Sequence, residues 1–455
     1  MAKPPNILFL MSDEHRADVA GYEGNAVVRT PVLDGLARSG VVFRNAYTPS
    51  PITVPTMGCL MAGQLPRTCG CEGWVDLPPG SLTWARVFTR HAYATVACGR
   101  LVHRGADVMQ GWSRRIGDSV LSQHVDEPDE EAFARYVRSL GAVKWSDAKE
   151  IQRAGVGRAH NQITDEYATL GARQFIERYF TDPLYDREET GRPLLLRVGF
   201  LQPHYPFFTS REKFTYYLER VHPFLEQEAF DHPFLGQRQV RPGSDVSERD
   251  VRRATAAYYG MVESIDELYG QVLDALRHVG QDLDDWIVVY TSDHGDMLGE
   301  HGVWEKQKFF EGSVRVPLII RWPRRFQPRV VTRNVNLCDL FATLCDLAGL
   351  AVPPGLDSRS LVPLMEGQAE GWGNETVSQF RGTNVMIKHD HLKYQYYGPE
   401  MPEVLFDLEA DPGEYRSCIG EPRYAARLEA FRRRLAELGF GPDADPDYVD
   451  AGYAG

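Results

Sequence analysis

The sequence predicts an α/β fold, in which helices cover both faces of a central sheet. The first indication is a set of continuous apolar runs, which are typical of strands buried on both faces. These runs span residues 6–11, 194–201, 286–291 and 316–321. The second indication is that segments with helical spacing of apolar residues lie between the runs. Strands that alternate with helices in this way form a sheet covered on both sides.

Two of the predicted helices carry clear start or stop signals. Thr30 and Pro31 supply an N-cap and a first-turn proline, and Gly40 ends the helix that they begin. A longer helix is predicted from about Arg252 to His278. Its apolar side chains recur on one face, as expected of a helix packed on a core. They are Tyr258, Met261, Val262, Ile265, Leu268, Val272, Leu273 and Leu276.

The remaining segments are interpreted as additions to this core. Residues 104–171 are polar and charged, and residues 210–248 are rich in aromatic side chains and proline, so both resemble insertions over the sheet. Further on, strand-like segments precede an amphipathic helix at about residues 422–438. We therefore divide the chain into a main domain, residues 1–368, and a smaller α+β subdomain with a tail, residues 369–455.

Composition excludes several classes of protein. With 43% hydrophobic and 25% charged residues the chain is an ordinary globular protein, and its net charge of −13 argues against nucleic-acid binding. No apolar run has the length of a membrane span, and the N-terminus lacks the features of a signal peptide. Seven scattered cysteines favour reduced thiols. We expect a cytoplasmic protein with no nucleic-acid or membrane partner.

Acids and histidines follow three of the predicted strands. Asp13 and Glu14 come after the first run, His204 after the second, and Asp293 with His294 after the third. Ligands of open α/β sheets bind beyond the carboxyl ends of the strands, so we expect these side chains to form one site. The alternative is that they are loop residues and caps, since Asp favours turns.

Several ordered motifs resemble the sulfatase branch of the alkaline phosphatase superfamily. They are PNILFLMSDEHRAD at residues 5–18, TPVLDGLA at 30–37, FRNAY at 43–47, TSDHGDMLGEHG at 291–302, WEK at 304–306 and LFDLEADPGE at 405–414. The closest resemblance is to the choline-sulfatase and phosphonate monoester hydrolase group. It implies a central mixed sheet flanked by helices, with a smaller C-terminal α+β subdomain. It also implies a hydrolase whose substrate is a small anionic ester of sulfuric, phosphoric or phosphonic acid.

The nucleophile signature of that family is altered in this chain. Sulfatases read Cys/Ser-x-Pro-x-Arg, and the Cys or Ser is oxidised to formylglycine, whereas Thr53 and Met57 stand at the first and last positions here. Threonine cannot become formylglycine because its β-carbon already carries a methyl group. The resemblance implies that Thr53, unmodified, is the nucleophile or takes its place at the metal. The alternatives are a plain loop hydroxyl ahead of Pro55, or attack by Thr56.

The same resemblance implies one divalent metal ion. Asp13, Asp293 and His294 would supply carboxylate and imidazole ligands, and Glu14 and the Thr53 hydroxyl match further ligand positions. Many sulfatases have Asn where His294 stands and hold calcium. An imidazole shifts the preference toward manganese or zinc, with calcium or magnesium as alternatives. The sequence contains no clear residue set for a second metal.

Three basic residues match substrate contacts of the family. Arg100 replaces the lysine of a Gly-Lys-x-His motif and would bind the anion with two N–H groups. His204 and Lys306 match residues next to the leaving oxygen, and either would serve as general acid. His204 is preferred because the ordinary pKa of histidine lies near neutrality. The alternative for Lys306 is a surface lysine. The motif histidine falls on Val102 unless His103 takes its place.

Three functions stay open at this stage. A sulfated threonine lacks the elimination route that formylglycine offers, so a phosphodiesterase or phosphonate monoester hydrolase is preferred. The others are an atypical hydrolase of sulfate or sulfonate esters, and a weak or inactive homologue with a binding or pathway-specific role. The resemblance also implies a homodimer or homotetramer, to which Tyr448 and Tyr453 of the polar tail would contribute.

Overall fold

A computed structural model shows a mixed α/β architecture. It describes residues 4–103, 107–117, 148–182, 192–228, 230–235 and 239–444. The strands are β1 (Asn6–Asp13), β2 (Val41–Phe43), β3 (Ala46–Tyr47), β4 (Ala94–Gly99), β5 (Arg114–Ile116), β6 (Gly155–Val156), β7 (Leu194–Pro203), β8 (Phe208–Thr209), β9 (Trp286–Ser292), β10 (Arg315–Val316), β11 (Leu318–Arg321), β12 (Arg329–Val331), β13 (Val335–Asn336), β14 (Glu375–Phe380), β15 (Asn384–His389), β16 (Leu392–Tyr397) and β17 (Val404–Asp407). The α-helices are α1 (Pro31–Arg38), α2 (Thr53–Ala62), α3 (Pro66–Cys69), α4 (Trp84–Arg90), α5 (Ala148–Arg153), α6 (His160–Thr181), α7 (Arg211–Leu218), α8 (Glu248–His278), α9 (Glu311–Val314), α10 (Asp339–Leu347), α11 (Val362–Met365) and α12 (Ala425–Glu437). Within the described residues, no helix combines the length and apolar character that crossing a bilayer requires.

The central sheet has eight strands, in the order β12-β2-β11-β9-β1-β7-β4-β5. β1 pairs in parallel with β7 and β9, and β4 pairs in parallel with β7 and β5. β11 runs antiparallel to β9 and β2, so the sheet is mixed, as the family resemblance implied. Pro317 has no N–H to give to a ladder. The predicted strand at 316–321 is accordingly divided between β10 and β11, which belong to different sheets.

Separate sets of helices cover the two faces of the sheet. Along β1, Ile7 and Phe9 lie in the apolar core that includes side chains of α2, α4 and α10. Leu8 and Leu10 lie in the opposite core, with side chains of α1, α6 and α8. Burial on both faces is the property that the continuous apolar runs predicted. It stabilises the sheet because apolar area leaves water on each side, by roughly 25 cal/mol per Å².

One expectation about helices was wrong. The segment 104–171 was interpreted as an insertion, but α6 begins inside it and packs on β7 and β4.

The start of α1 is as predicted, with Thr30 as the N-cap residue and Pro31 in the first turn. The Thr30 side chain makes no capping hydrogen bond. Asp266 of α8 satisfies this end of the helix instead, by accepting the N–H groups of Val32 at 3.0 Å and Leu33 at 2.8 Å.

The C-terminal region forms a small antiparallel sheet, in the order β14-β15-β16-β17, as predicted for the α+β subdomain. α12 packs on it through contacts such as Phe431 with Tyr394. Toward the main domain, Lys393 Nζ lies 2.9 Å from Glu311 Oε1 and 2.6 Å from Glu414 Oε1. The boundary at residue 368 stays a prediction, and the tail beyond residue 444 lies outside the described residues.

Candidate active site

The carboxyl ends of β1, β7 and β9 bring the predicted acids and histidines to one place. These strands are neighbours in the sheet, where Asp13 pairs with Pro203 and Ser12 pairs with Ser292. Asp13 therefore ends its strand beside the turns that carry His204 and Asp293. All three side chains are buried. The topology of the sheet thus assembles residues that are far apart in the chain.

Thr53 faces this group of side chains from the first turn of α2. Its Oγ1 lies 2.9 Å from His294 Nε2 and 3.4 Å from Asp13 Oδ1. Thr56, the alternative nucleophile, is fully buried, and its hydroxyl donates to the Ser50 carbonyl oxygen at 2.6 Å. Of the two threonines, Thr53 is therefore the one placed at the acidic cluster, and it lies in a helix rather than in a loop.

Asp13, Asp293 and His294 form a cluster that fits a metal ion, defined here as the acidic cluster. One ligand atom of each lies within 4.8 Å of the other two. His294 Nδ1 is 3.0 Å from the Gly295 carbonyl oxygen. The proton on Nδ1 donates to this oxygen, so Nε2 presents its lone pair to the cluster. Burial lowers the pKa of His294 to about 3, which keeps the ring neutral and able to bind a cation.

The electrostatics of the acidic cluster also suit a cation. Burial, with Asp13 close by, raises the pKa of Asp293 to about 8. The buried Oδ2 of Asp293 has no hydrogen-bond partner among the described residues. Burial alone would raise the pKa of Asp13 as well, but Arg100 and other nearby basic groups lower it below its ordinary value. Two adjacent buried carboxylates, one with an unsatisfied oxygen, match a divalent ion in charge and in ligand type.

Glu14 occupies the other side of Asp13, next to the two predicted acid catalysts. Its Oε2 lies 3.1 Å from Lys306 Nζ and 3.6 Å from His204 Nε2. The Lys306 side chain is 1% exposed, so the surface-lysine alternative is wrong. Burial would lower the pKa of Lys306, but Glu14 and neighbouring acids raise it. The pKa of His204 is not near neutrality, because burial and then Lys306 lower it well below its ordinary value.

Arg100 follows β4 and forms an ion pair with Asp13 through Nε. Beyond it, Val102 has a left-handed backbone with φ of 59° and lines a cavity of about 10 Å³ together with Thr53 and Asp13. His103 is buried, does not line this cavity, and has no hydrogen-bond partner for either ring nitrogen among the described residues. Of these two residues, Val102 therefore lines the cavity beside Thr53, and His103 does not.

Arg197 also belongs to this site, although the sequence analysis did not identify it. It lies in β7, within the run 194–201 that was interpreted as apolar, and is 1% exposed. Arg197 lines the same cavity as Thr53. The signal in the sequence was a charged residue inside an otherwise apolar run. Arginine is rarely buried in a strand covered on both faces unless the charge is used.

Known proteins resemble this chain over most of its length. The sulfatase family model matches residues 5–350, and a model described as N-sulphoglucosamine sulphohydrolase, C-terminal, matches residues 299–440. The choline-sulfatase of Rhizobium meliloti (strain 1021) is 32% identical over 451 residues, which cover 94% of this chain and 85% of that protein.

Solved structures of similar fold include two phosphonate monoester hydrolases. The enzyme of Agrobacterium radiobacter superposes with a TM-score of 0.75 at 24% identity, and that of Silicibacter pomeroyi with 0.76 at 21% identity. In both comparisons 95% of each chain is covered. At these identities the likeness establishes the shared fold.

Proposed function

The chain belongs to the sulfatase family of ester hydrolases, and on this basis we propose that it is a metal-dependent hydrolase of a phosphodiester or phosphonate monoester, with Thr53 as nucleophile. The observation that carries the proposal is the position of the Thr53 hydroxyl, 2.9 Å from His294 Nε2 and 3.4 Å from Asp13 Oδ1. A buried hydroxyl beside an acidic and imidazole cluster has the surroundings that an activated nucleophile needs.

The chemistry of threonine favours phosphorus over sulfur. In the first step the Thr53 hydroxyl loses its proton to solvent and its oxygen forms a bond to phosphorus. The bond to the leaving oxygen breaks, and that oxygen takes up a proton from Lys306. In the second step water attacks phosphorus and gives a proton back to Lys306, and the Thr53 oxygen leaves and takes up a proton from solvent, which regenerates the hydroxyl. Formylglycine offers a different exit, because its hydrated form carries a second oxygen that expels sulfate. Threonine has no such oxygen on its β-carbon.

The acidic cluster holds the metal ion in this proposal. Asp13, Asp293 and His294 would be its ligands, and the Thr53 oxygen would take a further position. Glu14, which the family resemblance also placed among the ligands, lies with His204 on the other side of Asp13 and pairs with Lys306. When bound, the ion supplies positive charge for the non-bridging oxygens of the substrate and for the ionised Thr53 oxygen. The imidazole of His294 favours manganese or zinc over calcium or magnesium.

Basic side chains bind the ester in this proposal and complete the reaction. Arg100 binds the anion through its N–H groups. His204 and Lys306 lie beside the leaving oxygen, and Lys306, which is ion-paired with Glu14 at 3.1 Å, delivers the proton. Met57 replaces the arginine of the family signature, so α2 contributes less positive charge. This favours a monoanionic ester over a dianion.

A sulfate ester is the second candidate substrate. It is favoured by the 32% identity to a choline-sulfatase. In that case Thr53 would have to be released by a second displacement at sulfur. A weak or inactive homologue is the third candidate, and it is favoured only by the two changed signature positions.

A panel of esters separates these candidates. The protein is loaded with manganese, zinc or calcium and given bis(4-nitrophenyl) phosphate, 4-nitrophenyl phenylphosphonate and 4-nitrophenyl sulfate, with Thr53→Ala as the control. We expect turnover of the two phosphorus esters. Faster turnover of the sulfate ester would instead identify the second candidate. Absence of turnover, together with absence of bound metal, would identify a non-catalytic homologue.

A further inference from the structure

Arg197 is a charged residue in the centre of the sheet. Within β7 it pairs with Phe9 of β1 on one side and Ala97 of β4 on the other. Its side chain is buried, and Arg197 lines the cavity of about 10 Å³ that Thr53 and Asp13 also line. A cavity of this size holds about one water molecule. Arg197 is therefore withdrawn from solvent and borders the same cavity as the proposed nucleophile.

The charge of Arg197 has no counter-ion in direct contact among the described residues. Nη2 lies 3.3 Å from Met11 Sδ and 3.8 Å from Met57 Sδ, which are weak acceptors. Nε is buried and has no hydrogen-bond partner in the described part of the chain. Burial lowers the pKa of Arg197 to about 10, so the group stays protonated at neutral pH. A buried cation without a counter-ion in contact destabilises a fold, and such groups occur often at functional sites.

The backbone around Arg100 holds the guanidinium in place. Nη1 of Arg197 donates to the Arg100 carbonyl oxygen at 2.6 Å. Gly199 permits this close approach of β7 to the turn after β4, since a Cβ at Gly199 would lie 2.4 Å from the same oxygen. The side chain of Arg100 in turn pairs with Asp13. Arg197 thus supports the segment that carries Arg100, and Arg197 itself lines the cavity beside Thr53.

We propose that Arg197 supplies from the central strand the buried positive charge that the family signature places on α2, and that this charge stabilises the bound anion and the ionised Thr53 oxygen. Met57 occupies the signature position, and its sulfur adjoins the Arg197 guanidinium. Arg197 acts here through its charge and not by contact with the ester, because its hydrogen bond is to the Arg100 carbonyl oxygen. The inference rests on the proposed function for the role of Thr53. Binding of inorganic phosphate tests it without any turnover.

The first measurement is the affinity of the manganese-loaded protein for inorganic phosphate, by titration calorimetry, with and without Arg197→Met. We expect the affinity to fall about tenfold or more, because a buried positive charge that borders the site is removed. We expect the melting temperature to change little, because the loss of the hydrogen bond to the Arg100 carbonyl oxygen offsets the gain from removing a buried charge without a counter-ion. The matched control is Arg321→Met, which removes an arginine of the same sheet that is ion-paired with Asp284. It should lower the melting temperature and leave phosphate affinity unchanged.

The second measurement moves the charge back to the signature position. The double variant Met57→Arg/Arg197→Met should recover phosphate affinity to within about threefold of the wild type, since the two changes act on one site. Met57→Arg alone places two guanidinium groups side by side and should lower the melting temperature. If the wild type turns over no ester but these binding results hold, the proposed function fails and the role of Arg197 stands.

Three outcomes would overturn the proposal. Phosphate binding by Arg197→Met as tight as that of the wild type would mean that its charge is not used. Failure of Arg197→Met to fold, or melting well below the wild type, would indicate a structural role. A double variant that folds but binds phosphate as weakly as Arg197→Met would mean that the charge cannot act from α2.

Discussion

Thr53 is the residue on which the proposed chemistry depends most directly. Thr53→Ala should lower kcat/KM by about three orders of magnitude or more, because no covalent intermediate can form. The intact mass of the wild type should match the encoded sequence, with no formylglycine. Thr56→Ala is the matched control, since the Thr56 hydroxyl donates to the Ser50 carbonyl oxygen instead of facing the cluster. Full activity in Thr53→Ala would show that water attacks directly or that the nucleophile lies elsewhere.

The metal ligands allow a test that does not need a substrate. Asp293→Asn and His294→Ala should each remove the bound metal without unfolding the protein, because each deletes a ligand of the acidic cluster. Elemental analysis of the purified variants measures this. Asp339→Asn is the control, as Asp339 is equally buried but accepts a hydrogen bond from the Asn336 N–H outside the cluster. Unchanged metal content in both cluster variants would contradict the assignment.

Lys306 and His204 can be distinguished by the leaving group. A 4-nitrophenolate leaves without a proton, whereas an alkoxide needs one. Lys306→Met should therefore lower kcat/KM by about 10²-fold or more with an alkyl ester and by much less with a 4-nitrophenyl ester. His204→Ala should lower kcat/KM by similar factors with both esters. The opposite pattern would transfer the role of general acid to His204.

At the same scale, the sequence predicted which acids and histidines meet but not all of their surroundings. Asp13, His204 and Asp293 were predictable because strands of a parallel sheet end at one edge. Arg197 was missed because the run around it was interpreted as uniformly apolar. The sequence also did not indicate that Val102, and not His103, lines the cavity. Val102 has a left-handed backbone, which a β-branched residue rarely adopts.

At the scale of elements, the cap of α1 makes stability depend on pH. Asp266 accepts two N–H groups of α1, and burial raises its pKa to about 7, above its ordinary value of 3.8. The folded protein thus keeps a proton that the unfolded chain releases. As the pH rises from about 4 to about 7, release of the Asp266 proton on unfolding should lower the free energy of unfolding by up to about 1.4 kcal/mol per pH unit.

The variant Asp266→Asn isolates this effect because its side chain does not titrate. Denaturant unfolding at about pH 5 and about pH 7.5 should show a smaller fall in the free energy of unfolding for the variant than for the wild type. Equal falls in the two proteins would mean that Asp266 is ionised in the folded state across this range.

Elements with a continuous or regular apolar pattern were predictable from the sequence. An element with a polar outer face was harder to predict. β1, β9 and α8 were found near their observed bounds because their apolar patterns are continuous or regular. α6 was missed, although its buried side chains lie at helical spacing, because its outer face is polar and its neighbours in the chain are rich in charge. Those side chains are Ala168, Ala172, Phe175, Ile176 and Tyr179.

At the scale of the whole molecule, the main domain and the C-terminal sheet meet at a buried charge. Lys393→Met would leave Glu311 and Glu414 facing each other without their shared cation. Breaking such a group typically costs about 3–5 kcal/mol of unfolding free energy. Unfolding in guanidinium chloride measures this loss of unfolding free energy. Adding Glu414→Gln should recover part of it, and failure to recover any would mean that the lysine acts through packing alone.

The fold class and the mixed sheet were predictable because the family motifs run from the first strand to the C-terminal hairpin. The homodimer or homotetramer stays a prediction, since the tail that suggested it lies outside the described residues. Light scattering against the monomer mass of 51.4 kDa tests it.

The presence of threonine at the start of α2 also concerns how the protein is made. A formylglycine enzyme depends on a second protein that oxidises its Cys or Ser, so its activity varies with the organism that expresses it. The proposed mechanism uses the Thr53 side chain as it is encoded. In the proposed mechanism, folding and the supply of metal alone then set the active fraction, in a bacterium, in a eukaryotic cell or in a cell-free extract.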